Sequence, residues 1–372
     1  YECVPMRFIK HVYKIHTYAQ DGRLFEGKTP VSAFLNSSYD GSFIAGLMEL
    51  RYIQSLPVER IINYFESHGF TLKKPTAHKL MEKASSLFEN LYKCIRQTAL
   101  SDPYKAADET YYKILVPEKN SKGKGVRKGY LWVVVGINTR MIYLLYDDGS
   151  RSEKVILNEL GGCKGIIQSD GYSPYRKLES DAYPHITRIP CLQHIKRKFI
   201  DCGEDDPDAK RIVEMINTLY QNEHKHKIGV DGWTVEQNLV HRKKYAPDIL
   251  GEIKDVLDDI EERGDLLPKS ELKEAITYLR NEWNAVVDIF NYGDTYLDNN
   301  IVERMNRYIS LSRKNSLFFG SHKGAERGAI LYTIALTCRM NKVNLFEYLT
   351  DVINRTAEWQ PNTPLEKYRQ LL

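Results

Sequence analysis

Three carboxylates, Asp108, Asp170 and Glu303, stand at positions from which a folded chain could bring them to one site. Asp108 lies in a strand-like segment, Asp170 ends the short apolar segment GIIQSD, and Glu303 lies near the start of a helical segment. A carboxylate at the end of a buried strand is costly unless it is solvated or holds a cation. Because α/β sheets place their sites at such strand ends, the pattern suggests a cation site.

Carboxylates in this arrangement suit metal-dependent phosphoryl transfer on DNA. Hard cations such as Mg²⁺ take oxygen ligands. Two cations about 4 Å apart can activate the attacking oxygen and stabilise the leaving oxygen at a phosphodiester, so no covalent nucleophile of the protein is needed. No Ser-His or Cys-His arrangement stands out in the sequence, which agrees with this hypothesis.

Each carboxylate also has a simpler explanation. A single Asp at a strand end is more often a turn former or a helix cap. Glu303 with Arg307 four residues later is more often an exposed ion pair, which contributes a few tenths of a kcal/mol. Glu109 must point away from its neighbour Asp108, because side chains alternate along a strand.

The helix of Glu303 is predicted to present this carboxylate to a cleft while it packs on the sheet. Good caps precede it at Asp298, Asn299 and Asn300. The buried stripe is predicted to contain Ile301, Met305 and Ile309. A different face carries Asn300, Glu303 and Arg307.

Clusters of basic residues are predicted to contact DNA phosphates, and such binding weakens steeply with salt. The net charge of +4 is only mildly basic, so local clusters must carry this prediction. The predicted contacts are Arg304, Arg307, Arg313, Lys314, Lys323 and Arg327 in and after the Glu303 helix, Lys196, Arg197 and Lys198 after Asp170, and Lys73 and Lys74 at a helix start. A glycine-lysine loop with Lys119, Lys122, Lys124, Arg127 and Lys128 suits either a solvated or a DNA-contacting role equally well.

The order of predicted elements indicates an α/β protein with a mixed sheet. Residues 1–40 begin strand-like from Val4 and then turn polar, and 41–100 are helical, with Pro57 and Gly69 bounding one helix. The helical pair around Gly69 is either a DNA-binding helix-turn-helix or an ordinary helical hairpin. Strands and helices alternate over 104–204, charged helices fill an insertion over 205–292, and 293–372 hold the Glu303 helix and one further long helical segment.

Composition is that of a soluble globular protein, with 42% hydrophobic and 27% charged residues among 372. No apolar run approaches the roughly 20 residues of a membrane helix. The first residues lack a signal-peptide pattern, and the absence of a starting Met suggests part of a longer chain.

The six cysteines form no CxxC pair, which favours reduced thiols in the cytoplasm. Cys191 and His194 are half of a zinc motif without an evident second half, so a structural or DNA-facing role is favoured.

Several segments in order resemble the insertion-sequence-66 transposase family. They are ADET around Asp108, SDGY around Asp170, DNNIVER around Glu303, CLQHIKRKF between them, and LSRKNSLFFGSHKGAERGAILYTIALTCRMNKVNLFEYL after them. The resemblance covers roughly Tyr104 to the end, and the preceding helical region is weakly similar. It implies a ribonuclease-H-like catalytic core with an all-helical insertion, preceded by a mainly helical N-terminal domain.

The resemblance also implies a DDE transposase, with Asp108, Asp170 and Glu303 holding two Mg²⁺ ions, or Mn²⁺ in their place. It implies cleavage of double-stranded DNA at element ends, strand transfer into target DNA, a dimer on DNA, accessory transposition proteins and a bacterial, nucleoid-associated location. Family members carry a cysteine-rich zinc segment upstream, whereas the corresponding text here, HTYAQDGRLFEG, has no cysteine pair. Two alternatives stay open: a domesticated relative that binds DNA without cutting it, and a nuclease that hydrolyses without strand transfer.

Overall fold

The structure is a computed structural model that describes residues 1–2, 4–28, 32–34, 37–119, 123, 125–360 and 362–372. Strands β1 (Thr17–Gln20) and β2 (Arg23–Glu26) form an exposed antiparallel hairpin. Asp21 and Gly22 connect them with positive φ angles of 51° and 74°. The expectation of strand structure from Val4 is therefore wrong for most of that segment, because only its last residues find a pairing partner.

Helices precede the large sheet. They are α1 (Gly41–Met48), a π-helical turn (Glu49–Ile53), α2 (Val58–Ser67), α3 (Lys74–Leu87) and α4 (Glu89–Ser101). Pro57 precedes α2 as expected, and Gly69 follows it with φ of 78°. The second helix of the expected helix-turn-helix does not continue as one element, since Phe88 separates α3 from α4.

A five-stranded mixed sheet occupies the middle of the chain, which confirms the predicted α/β class. Its strands are β3 (Tyr104–Leu115), β4 (Val126–Gly136), β5 (Met141–Leu145), β6 (Gly165–Ser169) and β7 (Ile186–Pro190), in the spatial order β5-β4-β3-β6-β7. The first three are antiparallel neighbours, whereas β6 pairs parallel with β3 and β7. The apolar runs 131–135 of β4 and 166–167 of β6 are buried, as expected for strand segments covered on both faces.

Short helices follow the strands: α5 (Glu153–Leu160), α6 (Ser173–Arg176) and α7 (Leu192–Ile200). Three longer helices come next, α8 (Pro207–Glu223), α9 (Val235–Arg263) and α10 (Glu271–Ile289). Their buried apolar side chains form a core with α7 and with Ile189 of β7. This core is separate from the one between the large sheet and the N- and C-terminal helices.

The chain closes with α11 (Asn300–Asn315), α12 (His322–Met340), α13 (Leu345–Thr356) and α14 (Leu365–Arg369). The predicted second long helical segment is thus two helices, since Asn344 caps α13 anew by accepting from the amide of Glu347. Helix α12 covers the free edge of β5, because Thr333 and Thr337 accept hydrogen bonds from the amides of that strand. No helix among the described residues is long and apolar enough to cross a membrane.

Candidate active site

Asp108 lies on the face of β3 that packs against α11. Its Oδ2 accepts a hydrogen bond of 2.5 Å from Nδ2 of Asn306, and its Oδ1 accepts one of 2.8 Å from the amide of Glu109. Burial raises the pKa of Asp108 to about 8, and the negative charges of Glu109 and Asp170 add to this effect. The Asp108 carboxylate therefore lies in a region that favours an added positive charge.

Glu109 points to the opposite face of β3, as strand alternation predicted. Its carboxylate forms an ion pair with Arg151, with an Nη2–Oε1 distance of 2.5 Å, and accepts from the hydroxyl of Tyr175 at 3.4 Å. Burial raises the pKa of Glu109, while Arg151 opposes that shift. Glu109 thus already has a cation of the protein beside it, unlike Asp108.

Asp170 immediately follows β6, and its Oδ1 accepts a hydrogen bond of 3.1 Å from the amide of Tyr172. It lies in a cleft of about 380 Å³. The cleft is lined by Arg151, Asp170, Gly171, Tyr172, His194, Arg197, Lys198, Asp201 and Tyr278. The Asp170 carboxylate, at the end of a strand, thus lies in a cleft with the positive charges of Arg151, Arg197 and Lys198.

The turn at Asp170 is held from behind by Arg188 of β7. The Arg188 guanidinium donates to the carbonyl oxygen of Asp170 at 2.6 Å and to Oγ of Ser169 at 3.1 Å. It also forms ion pairs with Glu282 of α10 at 2.5 Å and with Glu179 at 2.7 Å. Sequence reasoning missed this group, although an arginine inside an apolar strand requires a buried acidic partner.

A second contact from α10 reaches the same turn. The hydroxyl of Tyr278 accepts a hydrogen bond of 2.8 Å from the amide of Gly171. A Cβ at Gly171 would lie 2.4 Å from this hydroxyl oxygen, so only glycine allows the close approach. Tyr278 and Glu282 are four residues apart and therefore share one face of α10. Helix α10 thus supports the Asp170 turn at two points.

Glu303 lies in the first turn of α11 and meets α7 there. Its Oε1 is 3.6 Å from Nδ1 of His194, and the ligand atoms of Cys191, His194 and Glu303 all lie within 4.8 Å of one another. Both the Glu303 oxygen and the His194 nitrogen are buried without a hydrogen-bond partner among the described residues. Glu303 is therefore the acidic neighbour of Cys191 and His194, and periodicity cannot connect it to a C-x-x-H pair so distant in sequence.

Cys191 argues for a structural role of this cluster. Its Sγ accepts a hydrogen bond of 3.2 Å from the amide of Asn299. Burial raises the pKa of the Cys191 thiol to about 12, so the thiol that accepts this bond is neutral. Three donors also fall short of a closed structural zinc site, which has four.

Helix α11 connects these parts. Asn299 does not cap the helix with its side chain as expected, because its Nδ2 donates to the carbonyl of Ala107 at 3.0 Å. Val302 is fully buried and Ile301 only half-buried, which corrects the predicted stripe by one position. Glu303 and Asn306 are one turn apart on α11, so the helix reaches His194 with one residue and Asp108 with the other.

The predicted DNA contacts occupy several places. Arg197 and Lys198 line the Asp170 cleft, and Lys196 is half-buried on the same helix. Exposed positions on α11 hold Arg304, Arg307 and Lys314, and Arg313 lies over the ring of Tyr111 at 3.9 Å. Lys73 is exposed before α3, and Lys74 pairs with Glu59 at 2.8 Å.

Other basic residues lie elsewhere. Lys323 and Arg327 line a different cleft of about 480 Å³ that also holds acidic side chains, and Arg327 pairs with Glu82 at 2.5 Å. Arg127 and Lys128, expected in a loop, belong to strand β4. Lys122 and Lys124 lie outside the described residues.

Residues 36–327 match the model of a family described as "Transposase IS66 family". The chain belongs to this transposase family. The match begins well upstream of Tyr104 and includes the N-terminal helices, for which the sequence motifs indicated only weak similarity. It includes Asp108, Asp170 and Glu303.

Three proteins of Sinorhizobium fredii (strain NBRC 101917 / NGR234) are similar to this transposase-family chain. Uncharacterized protein y4jD is 26% identical over 84% of the chain and 61% of its own length. Uncharacterized proteins y4qI and y4hP are 26% and 24% identical, over 98% and 96% of the chain and 69% and 67% of their own lengths. The chain therefore spans about two thirds of the length of these relatives.

Proposed function

We propose that this chain catalyses metal-dependent cleavage of double-stranded DNA at the ends of a mobile element and joins those ends to target DNA. The observation that supports this most directly is that neighbouring side chains connect the three carboxylates: Asn306 of α11 bonds to Asp108, and His194 of α7 contacts Glu303 and lines the Asp170 cleft. The charge of Asp170 raises the pKa of Asp108, and His194 both lines the Asp170 cleft and contacts Glu303. We propose further that the sheet is a ribonuclease-H-like core, since three antiparallel strands followed by two parallel ones agree with that architecture.

The residues fit a pair of divalent cations. Asp108 lies among negative charges that raise its pKa, and a buried oxygen of Glu303 has no hydrogen-bond partner in the described part of the chain. Hard oxygen donors of this kind suit Mg²⁺ or Mn²⁺. Asp108, Asp170 and Glu303 would hold the two ions, which supply activation of the attacking oxygen and stabilisation of the leaving oxygen when bound.

The other side chains at the site have roles of their own. Asn306 donates to Asp108 and orients that carboxylate, and His194 faces the carboxylate of Glu303. Arg197 and Lys198 on α7 bring positive charge to the Asp170 cleft, where they would attract and position a phosphate of the DNA. Binding energy from these basic residues should weaken with salt.

The test is an assay of cleavage and joining on labelled DNA that carries the element's own ends, together with unlabelled target DNA. We expect products with Mg²⁺ or Mn²⁺ and none with EDTA. Asp170→Asn and Glu303→Gln should fold and bind DNA but lose at least about 100-fold in rate, as when one electrostatic stabiliser of a transition state is removed. The control is Asp248→Asn, which changes an exposed acid on α9 and should leave the rate unchanged.

The outcomes separate the alternatives. Joined products exclude a nuclease that only hydrolyses. Cutting without joining supports that nuclease. DNA binding without either reaction in any metal supports a binding protein or the need for a further segment or accessory protein. Near-normal cutting by Asp170→Asn would show that Asp170 is not a metal ligand. Light scattering measures the mass of the complex with end DNA and so tests whether the chain forms the dimer on DNA that the resemblance implies.

A further inference from the structure

Cationic and tyrosine side chains alternate over the surface beside the Asp170 cleft. In spatial order they are Arg313, Tyr111, Lys128, Tyr130, Arg151 and Tyr172, which we call the cation–tyrosine ladder. The distances from cation to ring centroid between successive members are 3.9, 4.3, 5.2, 5.2 and 4.1 Å. Each tyrosine ring therefore contacts at least one positive charge, and two of the three rings contact two.

The ladder is built by separate parts of the chain. The register of β3 with β4 places Tyr111 directly opposite Tyr130, and Lys128 follows two residues away on the same face. Arg313 comes from the last turn of α11 and also hydrogen-bonds to the carbonyl of Tyr111. Because five segments contribute, the alternation is not a by-product of one amphipathic strand.

One end of the ladder lies in the proposed active site. Arg151 and Tyr172 line the cleft that holds Asp170, and the amide of Tyr172 donates to the Asp170 carboxylate. The other end, Arg313, lies at the far end of the helix that begins beside Glu303. The rings are accessible, since Tyr111 is 37% exposed and the other two are partly exposed.

We infer that the cation–tyrosine ladder binds an unpaired DNA strand that leads into the Asp170 cleft; this inference rests on the proposed function. Stacking of a base on an aromatic ring strengthens binding by about 5- to 150-fold per base. An exposed cation–π contact contributes only about 2- to 5-fold. A base should therefore displace a cation from a ring, and the released cation would remain beside the strand to pair with its phosphates.

A duplex fits the ladder less well. Its bases are stacked on one another and paired, so they cannot lie on the tyrosine rings without first being unpaired. An unpaired strand offers a base face for each ring and a phosphate for each cation. The ladder should therefore prefer single strands with little regard to sequence, in contrast to the double-stranded ends that the proposed reaction requires.

The experiment measures fluorescence anisotropy of labelled oligo-dT and of a blunt duplex of equal length, on the full chain in EDTA. Tyr111→Leu removes one ring and should weaken binding of oligo-dT by about 5- to 150-fold, with duplex binding unchanged. Tyr111→Phe keeps the ring and should bind normally. The matched control is Tyr64→Leu, since Tyr64 of α2 is also 37% exposed, and it should bind as the wild type does.

Three results would overturn the inference. They are no binding of oligo-dT by the wild-type chain, equal binding by Tyr111→Leu and Tyr64→Leu, or an equal loss of duplex binding in Tyr111→Leu. Folding of Tyr111→Leu is checked by circular dichroism. If that variant does not fold, Tyr130→Leu removes another ring of the ladder and is compared with Tyr64→Leu, with the same loss of oligo-dT binding expected. Because divalent metal is absent, a failure of cleavage does not affect the result. If the chain cuts element ends but fails this test, the proposed function stands and the inference that the ladder binds an unpaired strand is wrong.

Discussion

Replacement of Arg188 by Met should strongly destabilise the chain. The Arg188 side chain is 0% exposed, and its partner Glu282 is 1% exposed. Removing the guanidinium leaves the Glu282 carboxylate buried without its counter-charge, and loss of one partner of a buried ion pair costs about 3–5 kcal/mol. Glu179 adds little to this cost, because it is 36% exposed and can turn to water.

A second replacement tests whether Glu282 causes the loss. Replacing a buried ion pair by apolar residues of similar volume is often neutral, so Arg188→Met with Glu282→Leu should recover much of the stability. Recovery should be incomplete, because the hydroxyl oxygen of Ser169 loses its donor, while the carbonyl of Asp170 keeps the hydrogen bond from that hydroxyl. An unsatisfied buried acceptor costs about 1–3 kcal/mol, which sets the expected residual loss for the double variant.

Urea unfolding followed by tryptophan fluorescence, to which the buried Trp132 contributes, measures both variants. The expected order of midpoints is wild type, double variant, Arg188→Met. Equal midpoints for the single and double variants would refute the role of Glu282, and an unchanged midpoint for Arg188→Met would refute the buried ion pair itself. Cleavage gives an independent measurement. The double variant should still cut slowly, because Arg188 no longer bonds to the Asp170 turn and Tyr278 is then the side chain of α10 that supports it. A wild-type rate would show that Arg188 does not position Asp170.

Two further changes test other contacts. Asn306→Ala removes the donor to Asp108 and should raise the Mn²⁺ concentration for half-maximal cleavage by about 10- to 100-fold, as loss of a residue that orients a metal ligand does; an unchanged metal requirement would contradict this. Thr333→Val leaves an amide at the edge of β5 without its acceptor and should cost about 1–3 kcal/mol in urea unfolding. Thr277→Val on α10, whose hydroxyl is exposed and bonds only its own helix, should cost much less, and equal losses would refute the edge contact.

Much of the fold could be predicted from the sequence, because strands and helices are encoded by the spacing of residues that are close together in the chain. Apolar runs of β-branched and aromatic residues identify β3 to β7, and helical spacing identifies most helices. The predictions were wrong where tertiary contacts, and not the local sequence, determine the structure. The strand-like sequence before Thr17 has no pairing partner among the described residues. Asn299 donates a hydrogen bond to the carbonyl of Ala107 in the sheet instead of capping its own helix.

The site was only partly predictable for the same reason. Asp170 at a strand end and Glu109 turned away from Asp108 both follow from alternation and strand position. His194 beside Glu303 does not, since the two residues belong to different helices that only the folded chain brings together. The sequence did contain one usable signal. The C-x-x-H pair of Cys191 and His194 has no partner nearby in sequence, which indicates a contact with a distant residue.

Helix α10 shows why distant segments matter for the site. It lies between α7 and α11 in sequence, yet Tyr278 and Glu282 reach the turn of Asp170 directly and through Arg188. Gly171 leaves no space for a side chain beneath Tyr278, so a displacement of α10 must either move the turn or break the hydrogen bond to it. Changes in the position of α10 should therefore alter the Asp170 carboxylate before they alter Asp108, which is held independently by Asn306 of α11.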